Sequence, residues 1–289
     1  MRLSYTLKYS LSLTFCLVAV ALLSLPRAYS AVEPSLSDSA TNESSVRLLG
    51  GDGETGSQFR IDNTVSFIRN ERETKYESST VFYGDLVFDF IGDNGEIVVY
   101  SLRSQKFVLI DPIRRMRTAI EEQELERFTA RIKEIIKEEK KDSFSLFLID
   151  PSFEISCKEN EYFFQSRWID YRVTTQLFDN EKIADAYFRF VEAMAKLNVY
   201  MNPGVLTPLA RIEANKTFME SALFPEKIVM EIYPKGKNIF AKTFVIENTA
   251  ALARRISERD RNRINRAVHF YEQFPFVSFS EYFEKNNEK

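Results

Sequence analysis

The sequence predicts an α+β fold: one antiparallel, meander-type sheet packed with about four helices. Three observations predict it. β-rich runs and helical runs come in blocks rather than in strict alternation, which argues against a parallel, doubly wound sheet. Successive β-rich runs are joined by a few residues, too short for the helical crossovers that parallel strands need. Helical periodicity is confined to four long segments with recognisable starts.

The chain before this domain reads differently. Arg2 and Lys8 precede an uncharged apolar run at 11–25, Pro26 breaks it, and Ala28-Tyr29-Ser30 places small residues before Ala31. That is the pattern of a secretory signal peptide at 1–30. The run is shorter than the roughly 20 residues of a spanning helix, so cleavage is favoured over a retained anchor. Cleavage would remove three of the 39 basic residues and none of the 42 acidic ones, taking the net charge from −3 to −6. An exported chain of that charge has no electrostatic reason to bind nucleic acid. Residues 31–58 are rich in Ser, Gly and acid and hold no aromatic residue. Such a stretch cannot offset its ordering entropy by burial and is expected to be a flexible tail. A single domain is expected over 59–289, with no membrane span after signal cleavage.

Within that domain the clearest strands are 80–83, 86–91, 97–101 and 106–110. Asp93-Asn94-Gly95 marks a tight turn between the second and third, and Arg103-Ser104-Gln105 makes the next. Two hexapeptides then stand out: FVLIDP at 107–112 and LFLIDP at 146–151. Both are read as strand ends. Proline cannot donate to a ladder, and Asp before it bonds the backbone of a turn. The likeness stops after six residues, so it is not taken as a duplication. Asp111 and Asp150 would form a carboxylate pair only if the fold brought them together.

Thr118-Ala119-Ile120-Glu121 reads as a capping box for a helix over 121–141, with Leu125, Phe128, Ile132, Ile135 and Ile136 on one face. A second β region is expected over 144–176, turning at 158–161 and including a strand at 168–176. Asn180 caps a helix to about 200. Thr207 with Pro208 opens a helix towards Leu223, stopped by Pro225. A hairpin is expected from 228–233 and 239–246, and Ser257 starts the last long helix, to about 273.

Catalytic signatures are missing. There is no Gly-x-Ser-x-Gly elbow, no phosphate-binding Gly-rich loop and, after the signal, no Ser-x-x-Lys. His269 is the one histidine, too few for zinc chemistry, and is read as a structural or surface residue. Cys157 is the one cysteine outside the signal, so no intramolecular disulfide forms. No cofactor or metal is expected. Asp85 and Asp89 share a strand face and are read as solvent-facing. Arg114, Arg115 and Arg117 form a small basic patch that could take an anion. The arginines between 254 and 266 are interleaved with acids and read as a solvated helix face. Asn42 and Asn215 begin glycosylation sequons, relevant only in a eukaryotic host.

Aromatic content is the remaining signal: 25 Phe and 13 Tyr against one Trp. Residues 75–120 (KYESSTVFYGDLVFDFIGDNGEIVVYSLRSQKFVLIDPIRRMRTAI) resemble the strand meander of the periplasmic lipoprotein-carrier family. The resemblance implies a half-open antiparallel sheet wrapped over helices, a hydrophobic cavity for lipid, and no catalytic residues. The resulting expectation is an exported, non-enzymatic protein, periplasmic or extracellular, that binds an apolar or amphiphilic ligand in a sheet concavity. Phe82, Phe88, Phe90, Phe107 and Phe164 are the candidate lining residues. The alternatives are an envelope protein that binds another protein through exposed rings at 274–283, and a hydrolase built on two carboxylates.

Overall fold

The structure, a computed structural model, describes residues 58–69, 72–91, 95–139, 142–202, 207–233, 235–237 and 244–287. The signal, residues 31–57 of the expected tail and the Asp93-Asn94 turn lie outside the described residues; Gln58, the last residue of that tail, begins the first strand. Eleven strands form one antiparallel sheet: β1 (Gln58–Arg69), β2 (Arg72–Tyr83), β3 (Leu86–Ile91), β4 (Ile97–Ser101), β5 (Lys106–Asp111), β6 (Met116–Glu121), β7 (Glu154–Lys158), β8 (Glu161–Gln165), β9 (Ile169–Leu177), β10 (Leu223–Ile232) and β11 (Phe244–Ala253). Their order across the sheet is β6-β5-β4-β3-β2-β1-β11-β10-β9-β8-β7. Two meanders therefore run to opposite edges. They meet in the middle, where the first and last strands pair from Arg60↔Ala253 to Ile68↔Val245.

Among the described residues there are six helices: α1 (Glu122–Glu138), α2 (Ser143–Ile149), α3 (Glu181–Met201), α4 (Leu209–Glu220), α5 (Glu258–Gln273) and α6 (Phe279–Asn287). Buried residues of α1 to α4 and of α6 share one core with Phe59, Ile61, Phe82, Val87, Tyr100 and Phe107. That is the inner face of the sheet. α5 covers the outer face, where Ile264, Ala267 and Tyr271 pack on Phe88, Phe90, Val99 and Val108. β3 to β5 are thus buried on both sides, which explains their nearly continuous apolar sequence.

Several expected boundaries move, each for a physical reason. Thr118 to Ile120 lie in β6, not in a helix cap. Met116, Thr118 and Ile120 alternate inwards and pair with β5, which satisfies their backbone, and the helix starts after Glu121 without a side-chain cap. The two hexapeptides adopt different structures. FVLIDP ends β5, and Asp111 accepts from the N–H groups of Ile113 and Arg114, both at 2.8 Å. LFLIDP ends helix α2. There Asp142 caps the start, accepting from the N–H of Phe144 (2.9 Å) and Ser145 (3.1 Å), and Phe144, Phe147 and Leu148 are buried. An upstream cap decides between helix and strand for an apolar run too short to show its period. Pro225 lies within β10, at a register shift before Lys227, where a missing N–H is tolerated. Thr207 does not cap α4; its hydroxyl donates to the Leu148 carbonyl and ties α4 to α2. Asn180 and Ser257 cap α3 and α5 as expected, Ser257 in a capping box with Asp260.

Two clamps hold the layers. Lys196 on α3 reaches Glu122 (3.1 Å), Glu126 (3.2 Å) and Glu192 (3.0 Å), while the Tyr100 hydroxyl donates to Glu122 from β4. After α5, the chain runs beside edge strand β6: Arg117 N–H donates to Pro275 O (3.1 Å) and Val277 N–H to Arg117 O (2.9 Å). This covers one of the two sheet edges, which would otherwise expose unpaired backbone.

Candidate functional site

Strand register sorts the inner face into rows. One row reads Phe59, Phe82, Val87, Tyr100, Phe107 and Ile120 across β1 to β6. It is aromatic and lies under α3, whose Phe190 ring is 5.7 Å from Phe82 and 6.1 Å from Tyr100. The next row reads Ile61, Thr80, Asp89, Val98, Leu109 and Thr118. The one after it begins Asn63, Ser78 and Ile91. Asn248 of β11 faces Val65 and lies diagonal to Asn63. The wall therefore changes from aromatic to polar within two residues of strand length.

These polar groups are buried and incompletely paired. Asp89 is 0% exposed; one oxygen accepts from the Thr80 hydroxyl at 2.7 Å and the other has no partner among the described residues. Burial pushes its pKa up to about 6, against the smaller opposing pull of Thr80 and Arg263. Asn63 is 2% exposed, and neither its amide oxygen nor its amide nitrogen has a partner among the described residues. The same holds for the hydroxyls of Ser78 and Thr118 and the amide oxygen of Asn248. An orphaned buried polar group costs about 1–3 kcal/mol, so five such residues on one face of the sheet, four of them on the adjoining strands β11 and β1 to β3, are an expense that packing does not explain.

A second polar place lies on α4. Arg211 and Asn215, one turn apart, share a helix face with Phe218, whose ring meets Tyr162 (5.3 Å) and Phe164 (5.4 Å) of β8. Arg211 Nη1 and Asn215 Oδ1 are buried without partners among the described residues. Burial also withdraws the Asn215 sequon from the surface.

The residues proposed from sequence fall in different places. Phe82, Phe107 and Phe164 are on the inner face, packed against Phe59, Tyr100 and Phe218 respectively. Phe88 and Phe90 are on the outer face beneath α5, with the Arg263 guanidinium 4.1 Å over Phe90. The five rings do not share one surface. Arg114 and Arg117 hold the C-terminal segment. Arg114 pairs with Asp111 (2.6 Å), donates to Tyr282 O (2.7 Å) and lies over the Tyr282 ring, while Arg117 donates to Phe274 O (3.0 Å) and lies over Tyr271. Arg115 lies 5.8 Å over Phe274. Tyr271, Phe274, Phe279 and Tyr282 are buried; Phe276 is exposed. His269 is exposed on α5 and Cys157 is exposed on β7, at the far edge of the sheet. Asp111 makes its turn and Asp150 is the exposed C-cap of α2. Asp85 pairs with Arg103 in a turn, but Asp89, read as solvent-facing, is fully buried. Among the described residues, no cluster of three or more His, Cys, Asp or Glu could hold a metal, and no helix is long and apolar enough to cross a membrane.

Sequence reasoning missed Asn63, Ser78, Thr80, Asn248, Arg211 and Asn215. One signal was available: an aspartate inside LVFDFI, a strand otherwise apolar on both faces.

No family model matches the sequence, and no curated protein does. Among solved structures, the chain is similar to PNGF-II in a C2 crystal form, at 6% identity and a TM-score of 0.31, over 79% of this chain and 32% of that one. The chain thus spans about a third of the length of PNGF-II. It is also similar to a LolA superfamily protein from Nitrosomonas europaea, at 8% identity and a TM-score of 0.27, over 75% of this chain and 96% of that one. Likenesses this shallow leave function to be read from the site itself.

Proposed function

We propose that the chain is an exported, non-enzymatic protein that holds an amphiphilic, lipid-like ligand between the inner face of its sheet and the helices above it. One observation carries this reading: unpartnered atoms of Asn63, Ser78 and Asp89 are set in a wall that is otherwise aromatic and aliphatic. Ligand sites combine a mostly apolar lining with a few convergent polar groups. Export is supported by the charged start, apolar run and small-residue end of residues 1–30. In the absence of nucleophile, base and oxyanion signatures, Asp89 serves as a hydrogen-bonding group rather than an acid catalyst.

The test is a titration of the purified protein with a fluorescent monoacylglycerol, repeated on Asn63→Leu and Ser78→Ala. The expected result is saturable 1:1 binding, weakened at least tenfold in the double variant while the circular dichroism spectrum is unchanged. Saturable binding that ignores both substitutions would remove the polar rows from the site. No binding at all would end the reading.

A further inference from the structure

Arg211 is 5% exposed. Among the described residues its guanidinium has no ion pair and no hydrogen bond, and Nη1 is fully enclosed. Guanidinium groups in proteins keep their charge, and a buried charge without a partner is among the costliest features a fold can carry. Lys196, the other buried cation among the described residues, is compensated by three glutamates. No acid pairs with Arg211 among the described residues. Asp89 is on β3, four strand spacings from the strand β10 that α4 packs against. At ~4.8 Å per spacing that is roughly 19 Å, too far for an ion pair.

We infer that the counter-charge comes from the ligand: Arg211, with Asn215 beside it, takes an oxyanion, a carboxylate or a phosphate, at the polar end of the amphiphile. This rests on the ligand reading proposed above and names the chemistry of its head group. A guanidinium presents a planar fork of N–H donors that fits the two oxygens of either group. Asn215, 7% exposed and one turn further along, adds an amide whose oxygen is unpartnered and can accept from a hydroxyl next to the acid. Phe218 continues the same helix face onto Tyr162 and Phe164, so an apolar wall suited to the tail adjoins the acid site.

The experiment is calorimetric titration of the full chain with three ligands that share one acyl chain: palmitate, palmitoyl lysophosphatidic acid and monopalmitoylglycerol. Each is run against the unaltered protein, Arg211→Met and Arg211→Lys. The expected result is that at least one acid binds tenfold or more tightly than the neutral glyceride, and the tighter acid identifies the oxyanion. Arg211→Met should abolish that preference, bringing the acids to the affinity of the glyceride, while Arg211→Lys keeps part of it. The ligand-free Arg211→Met protein should also melt at a higher temperature, whereas a merely structural arginine would lower it. Equal binding of all three ligands, or an acid affinity indifferent to Arg211→Met, would overturn the oxyanion assignment and leave the ligand reading standing. Binding of none would overturn both. If Arg211→Met fails to fold, Arg211→Gln gives the same comparison.

Discussion

Asp89 lies between Val87 and Phe90 in a strand whose two faces are both covered, and its burial raises its pKa from an ordinary value near 3.8 to about 6. The folded chain therefore keeps a proton that the unfolded chain releases between about pH 4 and 6. Stability from this group is complete below pH 4 and is lost as the pH rises through 6. The shift corresponds to about 3 kcal/mol. Asp89→Asn should flatten the fall in urea midpoint between pH 4 and 6 and raise the midpoint at pH 7.5. Superimposable pH profiles of the two proteins would contradict this. At this scale the sequence was only partly legible. Asn180, Ser257 and Asp111 act through neighbours a few residues away, so their roles could be read locally. Asn63, Ser78 and Arg211 acquire meaning only from what covers them, and that depends on pairing with β11 and on the placement of α4, which no local pattern encodes.

Among the elements, the strands of the first meander were the most legible, because hairpins with short turns fix pairing and register together. β3 and β4 lie where their sequences put them. α2 was not legible as a helix: seven residues show less than two turns of period, and its deciding feature is the Asp142 cap. Packing between elements is where charge enters. Lys196 joins α3 to α1, and Tyr100 joins β4 to the same carboxylate. Burial alone would lower the lysine pKa, but Glu192 and Glu122 overcome it and the pKa is raised. Removing the cation strands Glu122, while Glu126 and Glu192 can turn to water. Lys196→Met should therefore destabilise the fold by about 3 kcal/mol, the lower end for a broken buried pair. Adding Glu122→Gln should recover part of that loss. Urea unfolding of the single and double variants measures both, and a double variant no more stable than the single would show that Glu122 is not the stranded charge.

The whole molecule is two meanders closed on each other by the β1–β11 pair, with helices mainly on one face and α5 on the other. The class and the meander were legible from blocks of periodicity. The closure of the sheet was not, because it joins strands about 190 residues apart and depends on long-range contacts. The same closure creates the proposed site: it sets Asn248 beside Asn63 and gives the inner face its gradation from aromatic to polar. The most direct test is native mass spectrometry of the protein purified from its own host, before and after organic extraction. The expected result is a mass excess of lipid size that the solvent removes, and that falls when Asn63→Leu and Ser78→Ala are combined. A chain that arrives bare, or one whose bound mass is indifferent to those substitutions, would contradict it.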